Sequence, residues 1–125
     1  MRNIRQTRGT KNGKIAVVES FHTIVVGGGP GGTRAAAVLA NAGKRVALVS
    51  DELGGECLNY GCIPTKTYLW TAELLEKISM VESFGIEGAT AAHINWEKMQ
   101  VRRREVVEKL KKGLRFTTER AGVTI

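Results

Sequence analysis

Apolar residues along this chain fall into blocks, and their spacing changes from one block to the next. Residues 22–26, HTIVV, form a β-branched run that stops at Gly27, which predicts a strand. The stretch TRAAAVLANAGK over 33–44 is alanine-rich. It reads as a helix by composition, with Gly43 placed to close it in the left-handed region. Residues 45–49, RVALV, are apolar at nearly every position, and a run without alternation predicts a parallel strand covered on both faces. Residues 64–80, PTKTYLWTAELLEKISM, return to helical spacing. Pro64 suits the first turn, and Leu69, Leu74, Leu75 and Ile78 supply the apolar stripe. Residues 81–94, with Gly85 and Gly88, read as irregular. Asn95 stands where a helix needs a cap, ahead of Met99, Val106, Val107, Leu110 and Leu114. Their offsets of 0, 7, 8, 11 and 15 place them on one helical face. Gly122 ends that segment, and VTI reads as a strand just beginning.

Strand, glycine turn, helix and strand within about thirty residues make a βαβ unit, whose crossover is expected to be right-handed. The fold class is therefore α/β. A chain of 125 residues holds at most one domain, and one that stops inside a strand signal reads as an incomplete domain. The division is a basic flexible extension over 1–20 followed by the folded part over 21–125.

Charge sharpens this division. Residues 1–20 carry five basic and one acidic residue, 21–92 five and seven, and 93–125 nine and four, giving +7 in all. A basic surplus can attract nucleic acid. Yet Arg102, Arg103 and Arg104 are interleaved with Glu97, Glu105 and Glu108, which reads as a solvated helix face, and no nucleic-acid motif accompanies it. The start, MRNIRQTRGTKNGK, lacks the apolar core of a secretory signal. It is basic like a transit peptide, but it holds no serine and no amphipathic period. No apolar run approaches the roughly eighteen residues of a membrane span. The expectation is a cytoplasmic protein with neither a membrane nor a nucleic-acid partner.

The turn between the first strand and helix is GGGPGG, in which Gly27, Gly29 and Gly32 form G-x-G-x-x-G. In that setting the pattern reads as a dinucleotide site. Gly27 makes the tight turn, Gly29 lets backbone approach a pyrophosphate, and Gly32 lets the helix lie on the sheet, with Ala36 one turn further on. Pro30 and Gly31 fall at the helix N-terminus, whose N–H groups and dipole favour phosphate. A ribose is usually held by an acid at the end of the second strand. Here Ser50 occupies that place and Asp51 comes one residue late.

Both cysteines lie in LGGECLNYGCIPTK, residues 53–66, flanked by Gly54, Gly55 and Gly61. Zinc would want four ligands, and only Cys57, Cys62, His22 and His93 are on offer, without metal-type spacing. A purely structural disulfide over so short a loop restrains little chain. A redox-active pair fits better, one thiolate attacking and the other resolving. Cys62 precedes Pro64 at a helix start, where the dipole favours a thiolate, and Lys66 lies one turn on. Cys57 stands next to Glu56, whose charge disfavours a thiolate there. Cys62 is thus expected to be the more acidic thiol and Cys57 the outer, substrate-facing one.

HTIVVGGGPGG, VALVSDELGGECLNYGCIPTK and, more weakly, NWEKMQ and GLRFTTERAGVTI resemble the flavoprotein disulfide reductases (the pyridine nucleotide-disulfide oxidoreductases), nearest their dihydrolipoyl dehydrogenase branch. Glutathione and mercuric reductases are the alternatives within that family. The resemblance implies a Rossmann-like FAD-binding domain in which Gly27, Gly29, Pro30, Gly31, Gly32, Ser50, Asp51, Gly55, Glu56 and Lys66 meet the cofactor. Cys62 would contact the flavin, Cys57 would exchange with a thiol or disulfide substrate, and Lys66 would lie near the flavin N5. It also implies NAD or NADP as electron partner, a homodimer, and NAD and dimerisation domains with a His–Glu pair beyond these residues. Two positions depart from the family: Ser50 stands where it has an acid and Glu56 where it has threonine. Other readings are a non-catalytic FAD-binding or redox-sensing module and a plain NAD-binding domain. His22 and His93 read as surface or packing residues, and Tyr68, Trp70 and Trp96 as core or interface residues.

Overall fold

In the computed structural model the described residues are 19–89 and 91–125. The basic extension expected over 1–20 lies outside them except for Glu19 and Ser20. Strand β1 spans Thr23–Val26, helix α1 Pro30–Asn41, β2 Val46–Val49, α2 Gly55–Asn59, α3 Cys62–Met80, α4 Trp96–Arg120 and β3 Val123–Thr124. A single 3-10 turn, Val81–Phe84, follows α3 in the stretch that reads as irregular.

The strands form one parallel sheet in the order β1-β2-β3. The register sets Val25 beside Leu48 and Val46 beside Val123 on one face, and Ile24 beside Ala47 and Val26 beside Val49 on the other. The first face is the core. Val46 and Leu48 are fully buried with Ala36 of α1, Leu53 and Val123, and Leu39, Ala40 and Leu114 pack around them. Each such aliphatic side chain contributes about 1.5–3 kcal/mol. Along β2 the expected cover on both faces holds for Val46, Ala47 and Leu48 and fails only at Val49. On the second face Ala47 is buried, but Ile24, Val26 and Val49 are exposed. An unbroken apolar run marks a strand suited to burial, and on this second face the cover reaches the central strand at Ala47 but not the edge positions Ile24 and Val26.

Helix α1 begins three residues earlier than its alanine-rich stretch, with Pro30 at its first position, where a missing N–H costs nothing. It ends at Asn41 with Ala42 as its C-cap, and Gly43 follows, its N–H donating to Ala40 O (2.9 Å). Helix α4 begins as expected: the Asn95 Oδ1 accepts from the Lys98 N–H at 2.9 Å. Of its apolar face, Met99 and Val107 are buried, Val106 and Leu114 half-buried, and Leu110 exposed.

The stripe expected on α3 is only partly realised. Leu75 and Ile78 are half-buried, whereas Leu69 and Leu74 are exposed. Pro64 is buried, and contact with α4 also runs through Tyr68, whose hydroxyl donates to the Gln100 Oε1 (3.0 Å). Trp70 and Trp96, expected as core or interface residues, are exposed; Trp96 stacks on half-buried Tyr68 at 6.0 Å. His22 and His93 are exposed as well.

The clearest departure is in the cysteine segment. It is not an open loop but two helical pieces, α2 and the start of α3 at Cys62, joined at Tyr60-Gly61. Leu53, Leu58 and Asn59 are buried there. A five-residue helix is too short to show periodicity, so its pattern passes for a loop.

Candidate functional site

The glycine turn between β1 and α1 is built by sterics. Gly27 takes φ +106°, a conformation L side chains rarely adopt, and its N–H donates to Val49 O at 2.8 Å. A Cβ on Gly32 would overlap the Gly27 carbonyl and stand 3.6 Å from Val25 Cγ1. Helix and turn therefore meet at a distance that only glycine allows. No side chain caps α1, and its first turn holds no acidic residue. The helix end thus presents Gly31 and Gly32 N–H groups and the positive end of its dipole, with no carboxylate of its own to neutralise them. Thr33, one residue on, is buried and donates to Gly29 O at 2.9 Å.

The cysteine segment docks directly onto this turn. The Gly54 N–H donates to Gly28 O at 2.7 Å, and a Cβ on Gly55 would stand 3.0 Å from Gly29 Cα. Gly54 has φ +96°, and a side chain there would overlap Leu58. Glycine on both strands of this crossing lets two backbones touch. Gly28, which the fingerprint leaves unspecified, is buried, and a Cβ on it would meet Ser50 Oγ at 2.6 Å. A third consecutive glycine where the pattern asks for two was the only signal of this contact.

Cys57 and Cys62 are joined as a disulfide with Cα atoms 4.7 Å apart. Cys57 lies in α2, and Cys62 is the first residue of α3. Exposure runs opposite to the expected inner and outer order: Cys62 is exposed and Cys57 half-buried. Cys57 lines an open cleft of about 620 Å³ with Pro30, Thr33, Leu110 and Leu114, so the glycine turn and the disulfide border one space. Lys66 lies one turn after Cys62 and is exposed, at the edge of a separate cleft with Trp70, Arg102 and Val106. Glu56 is exposed in the first turn of α2, where a carboxylate suits the helix dipole.

At the end of β2 the expected residues behave differently. The Ser50 hydroxyl donates to Glu52 O (2.8 Å), and Asp51 is exposed. The engaged carboxylate is Glu52, which sequence patterns did not single out. Its Oε1 accepts from the Lys111 Nζ at 2.6 Å and its Oε2 from the Tyr60 hydroxyl at 2.7 Å. The hydrogen bond from Lys111, then that from Tyr60, holds the Glu52 carboxyl below its ordinary value. The same bonds hold Lys111 and Tyr60 above theirs. Glu52 and Lys111 are 59 residues apart, beyond any local pattern. Deeper in the segment, the Asn59 Nδ2 donates to Leu53 O (3.0 Å) and Gly55 O (2.9 Å).

Among the described residues no group of three or more His, Cys, Asp or Glu side chains could hold a metal ion. None of the described helices is long and apolar enough to cross a membrane.

The sequence profile of the family described as pyridine nucleotide-disulphide oxidoreductase matches residues 21–125. A dihydrolipoyl dehydrogenase of Bacillus subtilis (strain 168) is 43% identical over 103 residues, covering 81% of this chain and 22% of that protein. The dihydrolipoyl dehydrogenase of Acholeplasma laidlawii is 40% identical over 108 residues, covering 86% and 32%. That of Chlamydia muridarum (strain MoPn / Nigg) is 41% identical over 97 residues, covering 77% and 21%. The matched part thus spans between about a fifth and a third of these relatives. With a parallel sheet, a glycine turn and a cysteine pair docked onto it, and a profile match over all but the first twenty residues, this chain belongs to the pyridine nucleotide-disulphide oxidoreductase family.

Proposed function

We propose that this chain forms the FAD-cradling, disulfide-bearing part of a dithiol–disulfide oxidoreductase of the dihydrolipoyl dehydrogenase kind. The observation that carries the reading is the docking of Gly54 and Gly55 on Gly28 and Gly29, which brings a dinucleotide turn and a cysteine pair to one place.

The residues present suit FAD. Gly27 and Gly32 bring the uncapped end of α1 to the turn, and Gly29, Pro30 and Gly31 line the approach for a pyrophosphate. By the family resemblance Ser50, Asp51, Gly55, Glu56 and Lys66 would complete the cofactor's surroundings, with Lys66, one turn beyond Cys62, offering a cation to the flavin from the edge of the neighbouring cleft. Ser50 has its hydroxyl engaged with Glu52 O, so it offers a ribose only acceptor lone pairs. When bound, FAD would supply a two-electron carrier, with NAD or NADP as its partner in the whole protein.

The chain's own part is thiol chemistry. Two electrons and one proton open the Cys57–Cys62 bond to a thiol on Cys57 and a thiolate on Cys62, and the α3 N-terminus, with Cys62 as its first residue, stabilises that thiolate. Cys57, next to the cleft, is the thiol that exchanges with a small or protein-bound disulfide. Cys62, exposed in this structure, would be the inner sulfur if a bound cofactor covers it. The test is flavin fluorescence during titration of FAD into the purified chain. Saturable one-to-one quenching is expected, and it should be lost in Gly32→Val. Absence of saturable binding overturns the reading.

A further inference from the structure

The disulfide segment is braced on two sides. On its buried side Asn59 ties α2 to Leu53 O and Gly55 O, and Gly54 is hydrogen-bonded to the glycine turn. On its outer side the only side-chain tie among the described residues is the Glu52 carboxylate. One oxygen holds Tyr60, which lies between the two cysteines, and the other holds Lys111 on α4, itself 3.8 Å from Glu108. Three parts of the chain thus converge on one carboxylate: the end of β2, the α2–α3 junction and the middle of the longest helix.

Building on the redox reading of the cysteine pair, we propose that Glu52 is a positioning residue that clasps the Cys57–Cys62 segment to α4 through Tyr60 and Lys111, holding the two sulfurs at bonding distance. Glu52 touches neither sulfur. It acts by restricting Tyr60, and so the Asn59-Tyr60-Gly61 link that must relax when the sulfurs part. A link held in place raises the effective concentration of one thiol at the other, which favours the disulfide over the dithiol. Releasing the clasp therefore makes the pair easier to reduce. It also slows re-closure of the bond.

The step measured is an exchange with dithiothreitol. The Cys57–Cys62 bond breaks and takes up two electrons and two protons to give two thiols, while dithiothreitol loses both and closes to its cyclic disulfide. The full chain is equilibrated across a series of reduced-to-oxidised dithiothreitol ratios, and free thiols are trapped and counted by mass. Tyr60→Phe, Glu52→Gln and Lys111→Met are each expected to favour the dithiol by about five- to tenfold. This is about 20–30 mV for a two-electron couple. The Glu52→Gln/Tyr60→Phe double variant is expected to shift no further than the larger single shift, because both break one contact.

Arg115→Met, which breaks the Arg115–Glu119 pair elsewhere on α4, serves as the control and is expected to leave the midpoint unchanged. Tyr60→Phe removes only a hydroxyl from an exposed ring, so it separates the clasp from loss of fold. If the unsubstituted pair titrates but the variants share its midpoint, the clasp alone is overturned. Shifts that add in the double variant, or an equal shift in Arg115→Met, also overturn it. A pair that never titrates in the unsubstituted chain overturns the redox reading, and the clasp with it.

Discussion

Gly31 and Gly32 are neighbours in the first turn of α1, yet alanine at each is expected to act in opposite directions. At Gly31 a Cβ meets nothing within 4 Å, so alanine simply lowers the entropy of the unfolded chain and suits a helix. The expected gain is about 0.5 kcal/mol. At Gly32 the same methyl overlaps the Gly27 carbonyl oxygen, stands 3.0 Å from the Gly27 carbonyl carbon and 3.6 Å from Val25 Cγ1. None of the backbone atoms it strikes can swing aside as a side-chain end would. Gly27 is further pinned by its hydrogen bond to Val49 O.

Overpacking of this kind costs about 1–3 kcal/mol, and the entropy gain of about 0.5 kcal/mol offsets little of it. Gly32→Ala is thus expected to destabilise the chain by about 0.5–2.5 kcal/mol, while Gly31→Ala leaves it unchanged or slightly more stable. Urea unfolding followed by circular dichroism measures both, with the slope held equal so that the midpoint reports stability alone. Equal midpoints for the two variants would refute the close contact between α1 and the turn.

Further outcomes follow from the polar contacts. Asn59→Ala removes a buried donor and leaves Leu53 O and Gly55 O short of a partner. A loss of about 1–3 kcal/mol is expected in the same unfolding assay. Asn95→Ala removes the side-chain cap of α4 and is expected to cost about 1 kcal/mol, read as a lower urea midpoint with unchanged slope. The Glu52 carboxyl is held below its ordinary value, first by the hydrogen bond from Lys111 and then by that from Tyr60. Its contribution is therefore present above the ordinary carboxylate value and is lost as pH falls through the lowered one. Acid unfolding midpoints should show that limb in the unsubstituted chain and a flatter one in Glu52→Gln; identical limbs would contradict the assignment.

The parts of this fold that rest on local rules are legible in the sequence. Asn95 as a cap, Gly27 as a turn and the βαβ order follow from what single residues permit. The G-x-G-x-x-G and cysteine patterns marked the glycine turn and the disulfide because each chemistry demands fixed residue types at fixed spacing. Legibility failed where a residue's role depends on what it meets far along the chain. Glu52 meets Lys111 fifty-nine positions away. Tyr60 carries no local signal of its bond to Glu52, and the role of Gly28 shows only in its contact with Ser50. Helix α2 was missed because five residues cannot display a period of 3.6. The bare faces of Ile24, Val26, Leu69 and Trp70 show another limit: hydropathy states that a surface is suited to burial but not which element buries it.

The proposed sulfur roles are tested most directly by the absorbance of the FAD-loaded chain in its single-cysteine forms. With Cys62 as the inner thiol at the α3 N-terminus, Cys57→Ser should show a long-wavelength band from a thiolate against the flavin as pH is raised. Cys62→Ser should show none. A band that persists in Cys62→Ser and vanishes in Cys57→Ser would contradict the assignment and make half-buried Cys57 the flavin's neighbour.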